Sequence, residues 1–421
     1  MEKLWVRGGH KLCGNVEIPG AKNSVLPLMA ASVLCRGTVT LKNVPLLSDV
    51  AASLDILQEL GCAAQRNGRT LTIQAQQLQS SSIPEHLMTA MRSSLFYLAP
   101  LLARTGRAEI TQPGGCKLGK RPIDIHLDGL SAMGACVHQT AEKTIVTAPD
   151  GLHGVDYTLR FPSVGATETL LMAAVTASGT TTLHGVACEP EITDLIRFLK
   201  EAGAHISGAD TSVLQIEGRA LLTGATHTIC PDRIVAATVL CAVAGCGGEV
   251  LLTGCEVSHL TALLPLLQKL GCTITAVGNG ALCVASDGAK EALGTIATGV
   301  YPAFCTDMSP LLMAAVLKAP GFSSCIDTVF ENRFACAKGF LALGAHTVGT
   351  GNALAVQGTA RLHGAELMAA DLRGGAALVL AAMQAQGEST IAGVEYIVRG
   401  YEDIAALFAN LGAEIGTRQE S

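Results

Sequence analysis

Leu54-Asp55-Ile56-Leu57-Gln58-Glu59-Leu60-Gly61 is the stretch whose reading decides the fold. Leucine and isoleucine recur at helical spacing, and the glycine stands where a helix ends in a left-handed residue. The same pattern returns at 126–134, 194–203, 261–271, 335–344 and 403–412. The closing glycines, at 61, 134, 203, 271, 344 and 412, lie 73, 69, 68, 73 and 68 residues apart. Self-similarity at a fixed period indicates one structural unit used repeatedly.

A second, more apolar helical series alternates with the first, at 24–34, 93–103, 168–177, 233–244, 308–318 and 375–384. A glycine follows each, and a β-rich run such as Gly37-Thr38-Val39-Thr40-Leu41 follows the first. A helix apolar on all sides has to be covered on all sides. The unit therefore reads as strand–helix–strand–helix–strand, about 70 residues long and repeated six times. An α/β protein is expected, with three units per domain and a hinge within 225–232. An open solenoid of six units is the alternative, and the need of the apolar helices for sheet on several sides counts against it.

Composition narrows the class. Of 421 residues, 49% are apolar and 15% charged, so most of the chain must surround buried cores, and the length suits two domains. The longest apolar runs, 234–245 and 310–316, fall short of the ~18 residues of a membrane span. Residues 1–7 carry no apolar signal segment, and a soluble cytoplasmic protein is expected. A net charge of −6 speaks against non-specific nucleic-acid binding. The 15 cysteines include no Cys-x-x-Cys pair. Most lie in apolar runs (Cys35, Cys241) or beside helix-ending glycines (Cys62, Cys272), where they serve as small hydrophobes. Neither a metal nor a cofactor is expected.

Cys116 is different. In Pro113-Gly114-Gly115-Cys116-Lys117-Leu118-Gly119-Lys120-Arg121 a thiol lies among glycines with three cations within five residues. These surroundings favour a bound anion and an ionised thiol. The segment reads as the reactive lid of an enzyme for phosphorylated substrates, a plain glycine–cysteine turn being the bland alternative. Polar residues also recur where helices begin. Lys22-Asn23, Arg92, Ser163, Asp232-Arg233, Thr306-Asp307 and Asp371-Leu372-Arg373 precede the apolar series, and Asp49, Arg121, Glu191, His259, Arg333 and Arg399 the amphipathic one. Helix starts offer free N–H groups and bind phosphate or carboxylate. Taken singly, Asp307, Asp232 and Ser163 are ordinary N-caps, and Pro27 and Pro310 are first-turn prolines. His126 alone is a structural hydrogen-bonder, and lone arginines are solvated. The conjunction of Lys22, Arg92, Arg121, Arg333, Arg373 and Arg399 at such points in a charge-poor chain is what indicates an anion site.

These segments closely resemble the enolpyruvyl transferase family. The resemblance rests on Gly20-Ala21-Lys22-Asn23, Met91-Arg92, Pro113-Gly114-Gly115-Cys116, Arg121-Pro122-Ile123-Asp124, Pro162-Ser163-Val164-Gly165-Ala166-Thr167 and Pro231-Asp232-Arg233-Ile234. It continues through Thr306-Asp307-Met308, Phe330-Glu331-Asn332-Arg333-Phe334, Asp371-Leu372-Arg373 and Arg399-Gly400-Tyr401-Glu402, and so spans the whole chain in order. It implies two inside-out α/β barrel domains of three pseudo-repeated units each. The N-terminal one would be 22–230 with the Cys116 lid, and the C-terminal one 1–21 plus 231–421, with the active site in the cleft between them. It implies transfer of the enolpyruvyl group of phosphoenolpyruvate to the 3-hydroxyl of UDP-N-acetylglucosamine through a tetrahedral ketal. Phosphate is released, in the first committed step of peptidoglycan synthesis. Both partners are small molecules, and no protein partner is implied.

By the same resemblance Lys22, Asn23, Arg121 and Arg399 hold phosphoenolpyruvate. Asn23, Arg92, Arg121, Pro122, Ile123, Asp124, Ile125, Ser163, Val164, Asp307 and Val329 hold the UDP-sugar. Cys116 is the general acid, and Asp307, Lys22 and Arg399 complete the catalytic set, with Arg333, Asp371 and Arg373 in support. A cysteine in place of an aspartate on the lid implies alkylation by fosfomycin. The residue types suit the chemistry, since two polyanions must meet and arginines offset their repulsion. Lys117, Lys120, Val235 and Tyr396 depart from the family's usual residues, which bears on the lid and on inhibitor response. The shikimate-directed branch of the family and a silent UDP-sugar-binding paralogue are the rivals. The lid cysteine and the Arg-Pro-Ile-Asp segment oppose the first, and retention of every catalytic position opposes the second.

Overall fold

Gly61, Gly134, Gly203, Gly271, Gly344 and Gly412 all have φ between +85° and +100°, a region a Cβ disfavours. After each, the next N–H reaches the carbonyl five residues earlier. Cys62 bonds Leu57 in this way, and Ala135, Ala204, Cys272, Ala345 and Ala413 repeat the bond at 2.9–3.0 Å. One helix-closing motif therefore recurs six times, at the spacing read from the sequence.

A computed structural model describes residues 2–111, 122–219, 222–278 and 280–419. Its helices are α1 (Lys22–Ala31), α2 (Ser48–Glu59), α3 (Glu85–Ala90), α4 (Leu98–Thr105), α5 (Asp124–Ala132), α6 (Val164–Ala174) and α7 (Pro190–Glu201). There follow α8 (Arg233–Cys246), α9 (Leu264–Lys269), α10 (Ser309–Ala315), α11 (Ala337–Ala342), α12 (Leu372–Gln384), α13 (Val394–Ile397) and α14 (Ile404–Ala409). The apolar series is buried along its length. In α12 every residue is buried, and in α8 all but Cys246. Such burial, not helix propensity, holds these segments.

Two local expectations are corrected. Pro27 is not a first-turn proline but the sixth residue of α1, because the helix begins at Lys22. Having no N–H, Pro27 leaves the Asn23 carbonyl without its helical partner. Pro310 does occupy the first turn of α10. The helix expected over 261–271 is cut to α9, whose first turn is set by Pro265.

Among the described residues six sheets accompany the six units, five of them built alike. In the first, strand Val39–Lys42 pairs antiparallel with Thr70–Gln74, which pairs with Ala63–Asn67, while Thr226–Thr228 joins Val39–Lys42 in parallel. Five sheets have four strands in this arrangement. The sixth (Arg107–Thr111, Lys143–Thr147, Cys136–Gln139) has only a parallel bridge, Ser82 to Glu109, at the fourth position. The protein is thus mixed α/β, as the periodicity implies.

Contacts divide the described chain into two units: residues 2–19 with 231–419, and 20–111 with 122–230. Each has three sheets and its own hydrophobic core. Strand Glu2–Arg7 lies between Glu388–Ala392 and Glu414–Gln419, and Leu12–Glu17 runs parallel to Gly248–Thr253. One packing device recurs in both units. A Cβ on Gly129 of α5 would stand 2.5 Å from Leu170 of α6, and one on Gly339 of α11 2.3 Å from Leu378 of α12.

Candidate active site

In the unit of residues 231–419, three apolar helices begin at Asp232, Thr306-Asp307 and Asp371, points one repeat apart. Two of these acids are caps. Asp232 accepts the N–H groups of Ile234 and Val235, and Asp371 that of Gly374. Asp307 breaks the pattern and is no cap. Its Oδ1 is taken by Arg333 Nη2, and its Oδ2 by Nε and Nη2 of Arg373, both at 3.2 Å. Arg333 is fixed further by Nε donating to the Thr306 carbonyl at 2.9 Å and by its guanidinium lying 5.2 Å over Phe330.

The two arginine side chains are 1% and 4% exposed, while that of Asp307 keeps 23%. The carboxylate therefore has one open side in an otherwise closed cationic seat. Burial alone would raise its pKa, but Arg373 and Arg333 outweigh that and hold it well below the usual carboxylate range. Arg373 is pushed up, burial being offset chiefly by Asp307. Asp371 is raised by burial, against the N–H bonds it accepts. Arg373 Nη1 and Asp371 Oδ2 are buried without a hydrogen-bond partner. Arg233 lies 5.6 Å over the Tyr301 ring, and the Tyr401 hydroxyl bonds Thr238 at 2.7 Å. Val329 follows in the turn after Asp327, and Arg399 is half-buried between α13 and α14.

The unit of residues 20–111 and 122–230 gathers a second set. Lys22 and Asn23 open α1, and Lys22 Nζ stands 2.8 Å from Asp49 Oδ2 of α2, both side chains being buried. Arg92 starts a 3-10 turn (Arg92–Tyr97). Pro122 and Ile123 lead into α5, which holds Asp124 and Ile125. Ser163 caps α6 by accepting the Ala166 N–H, and Val164 is its first residue. His126 is structural, its Nδ1 bonded to Thr169 Oγ1 at 2.8 Å. Burial, helped by Arg92, pushes His126 down to about 4. Cys116 and Arg121, with Lys117 and Lys120, lie outside the described residues.

Sequence reasoning passes over two contributors. Arg160 joins the start of α5 to the segment before α6 by pairing with Asp124 and, at 2.7 Å, with Asp128. Asp327 accepts the Thr306 hydroxyl at 2.6 Å and the N–H groups of Val329 and Phe330 at 2.9 and 2.7 Å. It ties the Asp307 segment to the Arg333 turn. Its one legible signal is an acid directly after a strand, where it bonds backbone two and three residues on. Among the described residues no cluster of His, Cys, Asp or Glu could hold a metal ion, and no helix is long and apolar enough to cross a membrane.

The profile of the family described as EPSP synthase (3-phosphoshikimate 1-carboxyvinyltransferase) matches residues 6–407. The chain is 42% identical over 419 residues to UDP-N-acetylglucosamine 1-carboxyvinyltransferase 1 of Symbiobacterium thermophilum, covering 98% of this chain and 95% of that one. It is 41% identical over 423 residues to UDP-N-acetylglucosamine 1-carboxyvinyltransferase of Novosphingobium aromaticivorans, covering 99% of each. Among solved structures, the enolpyruvyl transferase NikO from Streptomyces tendae superposes with a TM-score of 0.89 at 26% identity, covering 99% of this chain and 98% of that one. EPSP synthase from Acinetobacter baumannii, at 19% identity with a TM-score of 0.75 and full coverage of both chains, shares the fold. With a profile match over most of its length and relatives at 41–42% identity from end to end, the chain belongs to the enolpyruvyl transferase family.

Proposed function

We propose that the protein transfers the enolpyruvyl group of phosphoenolpyruvate to the 3-hydroxyl of UDP-N-acetylglucosamine and releases phosphate, in the cytoplasm. Two inside-out barrels would carry residues of both units to the same pair of substrates. The observation that carries the reading is Asp307, ionised between two buried guanidiniums with one side open, in a chain whose relatives bear the corresponding name.

Protonation of the donor's methylene carbon makes its neighbour cationic. The sugar hydroxyl adds there and gives up its proton, and the tetrahedral ketal then loses a methyl proton together with phosphate, which restores the enol double bond. An aspartate held below ~3.9 is a weak base for an alcohol, so Asp307 acts by orienting the hydroxyl on its open side. Lys22, Asn23, Arg121 and Arg399 hold the donor. Arg92, Ser163, Val164, Val329 and the segment 121–125 hold the UDP-sugar together with Asn23. Cys116 delivers the proton. Nearby cations favour its thiolate, and bound phosphate would restore the thiol.

The test is phosphate release from phosphoenolpyruvate with UDP-N-acetylglucosamine, compared between parent and Cys116→Ala. Turnover by the parent and its loss in the variant are expected. No release with this acceptor, or release only with shikimate 3-phosphate, would overturn the reading.

A further inference from the structure

The start of α1 carries Lys22 and Asn23, and no side chain caps it. Its cap, Ala21, provides no side-chain acceptor, and Pro27 has no N–H for the Asn23 carbonyl. Besides the Lys22–Asp49 ion pair, two bonds from outside α1 bracket the two residues. On one side the Ala21 N–H donates to the Cys230 carbonyl at 2.8 Å. On the other, the Ser24 hydroxyl donates to Asp194 Oδ2, which also accepts the Cys230 N–H at 3.2 Å. Both fastenings thus close on Cys230 and the buried Asp194 of α7.

Asp194 is itself anchored. Its Oδ1 faces His227 Nε2 at 3.1 Å, and His227 Nδ1 faces Glu201 Oε2 at 2.9 Å. With a carboxylate at each ring nitrogen, only the imidazolium donates to both. Phe198 stands edge-on to the ring with centroids 5.9 Å apart, and Leu41 is the register partner on strand Val39–Lys42. Burial, with Asp194 and Glu191, pushes the Cys230 thiol up, so it stays neutral. Burial alone would lower His227, but Asp194 and Glu201 outweigh it and raise it above the ordinary histidine range. Burial alone would raise Asp194, and the bonds from His227 and Ser24 keep it low.

We infer that Asp194, anchored by His227 and Glu201, is a positioning residue that fixes Lys22 and Asn23 for the enolpyruvyl donor. What those two residues touch rests on the function proposed above, whereas the bracket itself does not. The imidazolium is complete below the ordinary histidine range and is lost as pH rises through the raised value. One ring nitrogen then turns a lone pair toward a carboxylate, and the bracket loosens.

The test follows KM for phosphoenolpyruvate from about pH 6 to about pH 9, across the histidine range and above it. Parent, S24A, D194N and H227Q are compared. S24A deletes one hydroxyl and serves if D194N fails to fold. S24A and D194N are expected to raise KM about tenfold with a smaller change in kcat. The parent's KM is expected to climb more steeply at alkaline pH than that of H227Q, which has no titrating ring at this position and keeps only the dependence due to Cys116. Unchanged KM in S24A and D194N, or an alkaline climb in H227Q as steep as the parent's, overturns the inference. If the parent does not turn these substrates over, the functional reading fails, and the bracket is still read by amide exchange at residues 22–25. Faster exchange in S24A or D194N than in the parent supports it, and equal exchange refutes it.

Discussion

At Asp307 one carboxylate is shared by two guanidiniums that have almost no contact with water. Removing one partner of such an arrangement leaves the other charges buried and uncompensated. Asp307→Asn is therefore expected to cost about 3–5 kcal/mol in chemical denaturation. It is also expected to lower turnover at least about 100-fold through misplacement of the reacting hydroxyl. The depressed pKa sets a sign as well. Stability from Asp307 is present above ~3.9 and lost as pH falls from there toward its lower folded value. Glu168 shows the reverse. Both its oxygens are buried without partners, and burial, with Glu191 and Glu189 adding to it, raises its pKa well above the ordinary value. The folded state then holds a proton that the unfolded chain releases, so stability declines as pH rises above ~4.3. Glu168→Gln should raise Tm at neutral pH and flatten its dependence on pH. A Tm unchanged at every pH would contradict this. The sequence supplies Glu168 only as the polar first residue of an apolar run. Its lack of partners depends on which residues fold around it, as does the pairing of His227 with Asp194, 33 positions away.

At the scale of elements, the amphipathic helices approach the apolar ones where a glycine removes the obstacle. Gly129→Ala and Gly339→Ala both push a methyl into the side chain of a buried leucine. Each is expected to cost about 1–3 kcal/mol, read from the denaturation midpoint. Equal losses at both sites would express the repeat energetically, and no loss at either would mean that the helix pairs yield easily. The repeat was legible because its markers are local. A glycine closing a helix needs only the residues beside it, and all six adopt the left-handed conformation at the expected positions. Helix starts were less legible. Lys22, not Ser24, begins α1, which moves Pro27 inside. The N-cap reading held for Asp232 and Ser163 but not for Asp307, since Arg333 and Arg373 reach it from 26 and 66 residues away. Tertiary charge overrides a local preference there. Arg160 and Asp327 are hard to read for the same reason, since Asp124 and Thr306, the partners that tie them to the site, belong to other segments.

At the scale of the whole molecule, residues 2–19 supply a strand to each of two sheets in the unit of 231–419. Periodicity could not place them, because they fill positions that belong to distant repeats; only the family resemblance implied it. Deleting 2–19 exposes the edges of Gly248–Thr253, Glu388–Ala392 and Glu414–Gln419, and unpaired edges invite aggregation. Limited proteolysis of the truncated chain should cut first within 231–419 and spare 20–230, which keeps its own core. Uniform cleavage would show that the two cores do not melt separately. During biosynthesis the arrangement imposes a wait. Strand Glu2–Arg7 leaves the ribosome some 400 residues ahead of its partner Glu414–Gln419. At about 5–20 residues per second, that is an interval of about 20–80 seconds. For most of it the strand, with Leu4 and Val6 on the face it later buries, has no partner, while the unit of 20–230 is already free to close. Nascent chains stalled near residue 240 should therefore be bound by chaperones at their leading end, and release should follow only once the last strand has been made.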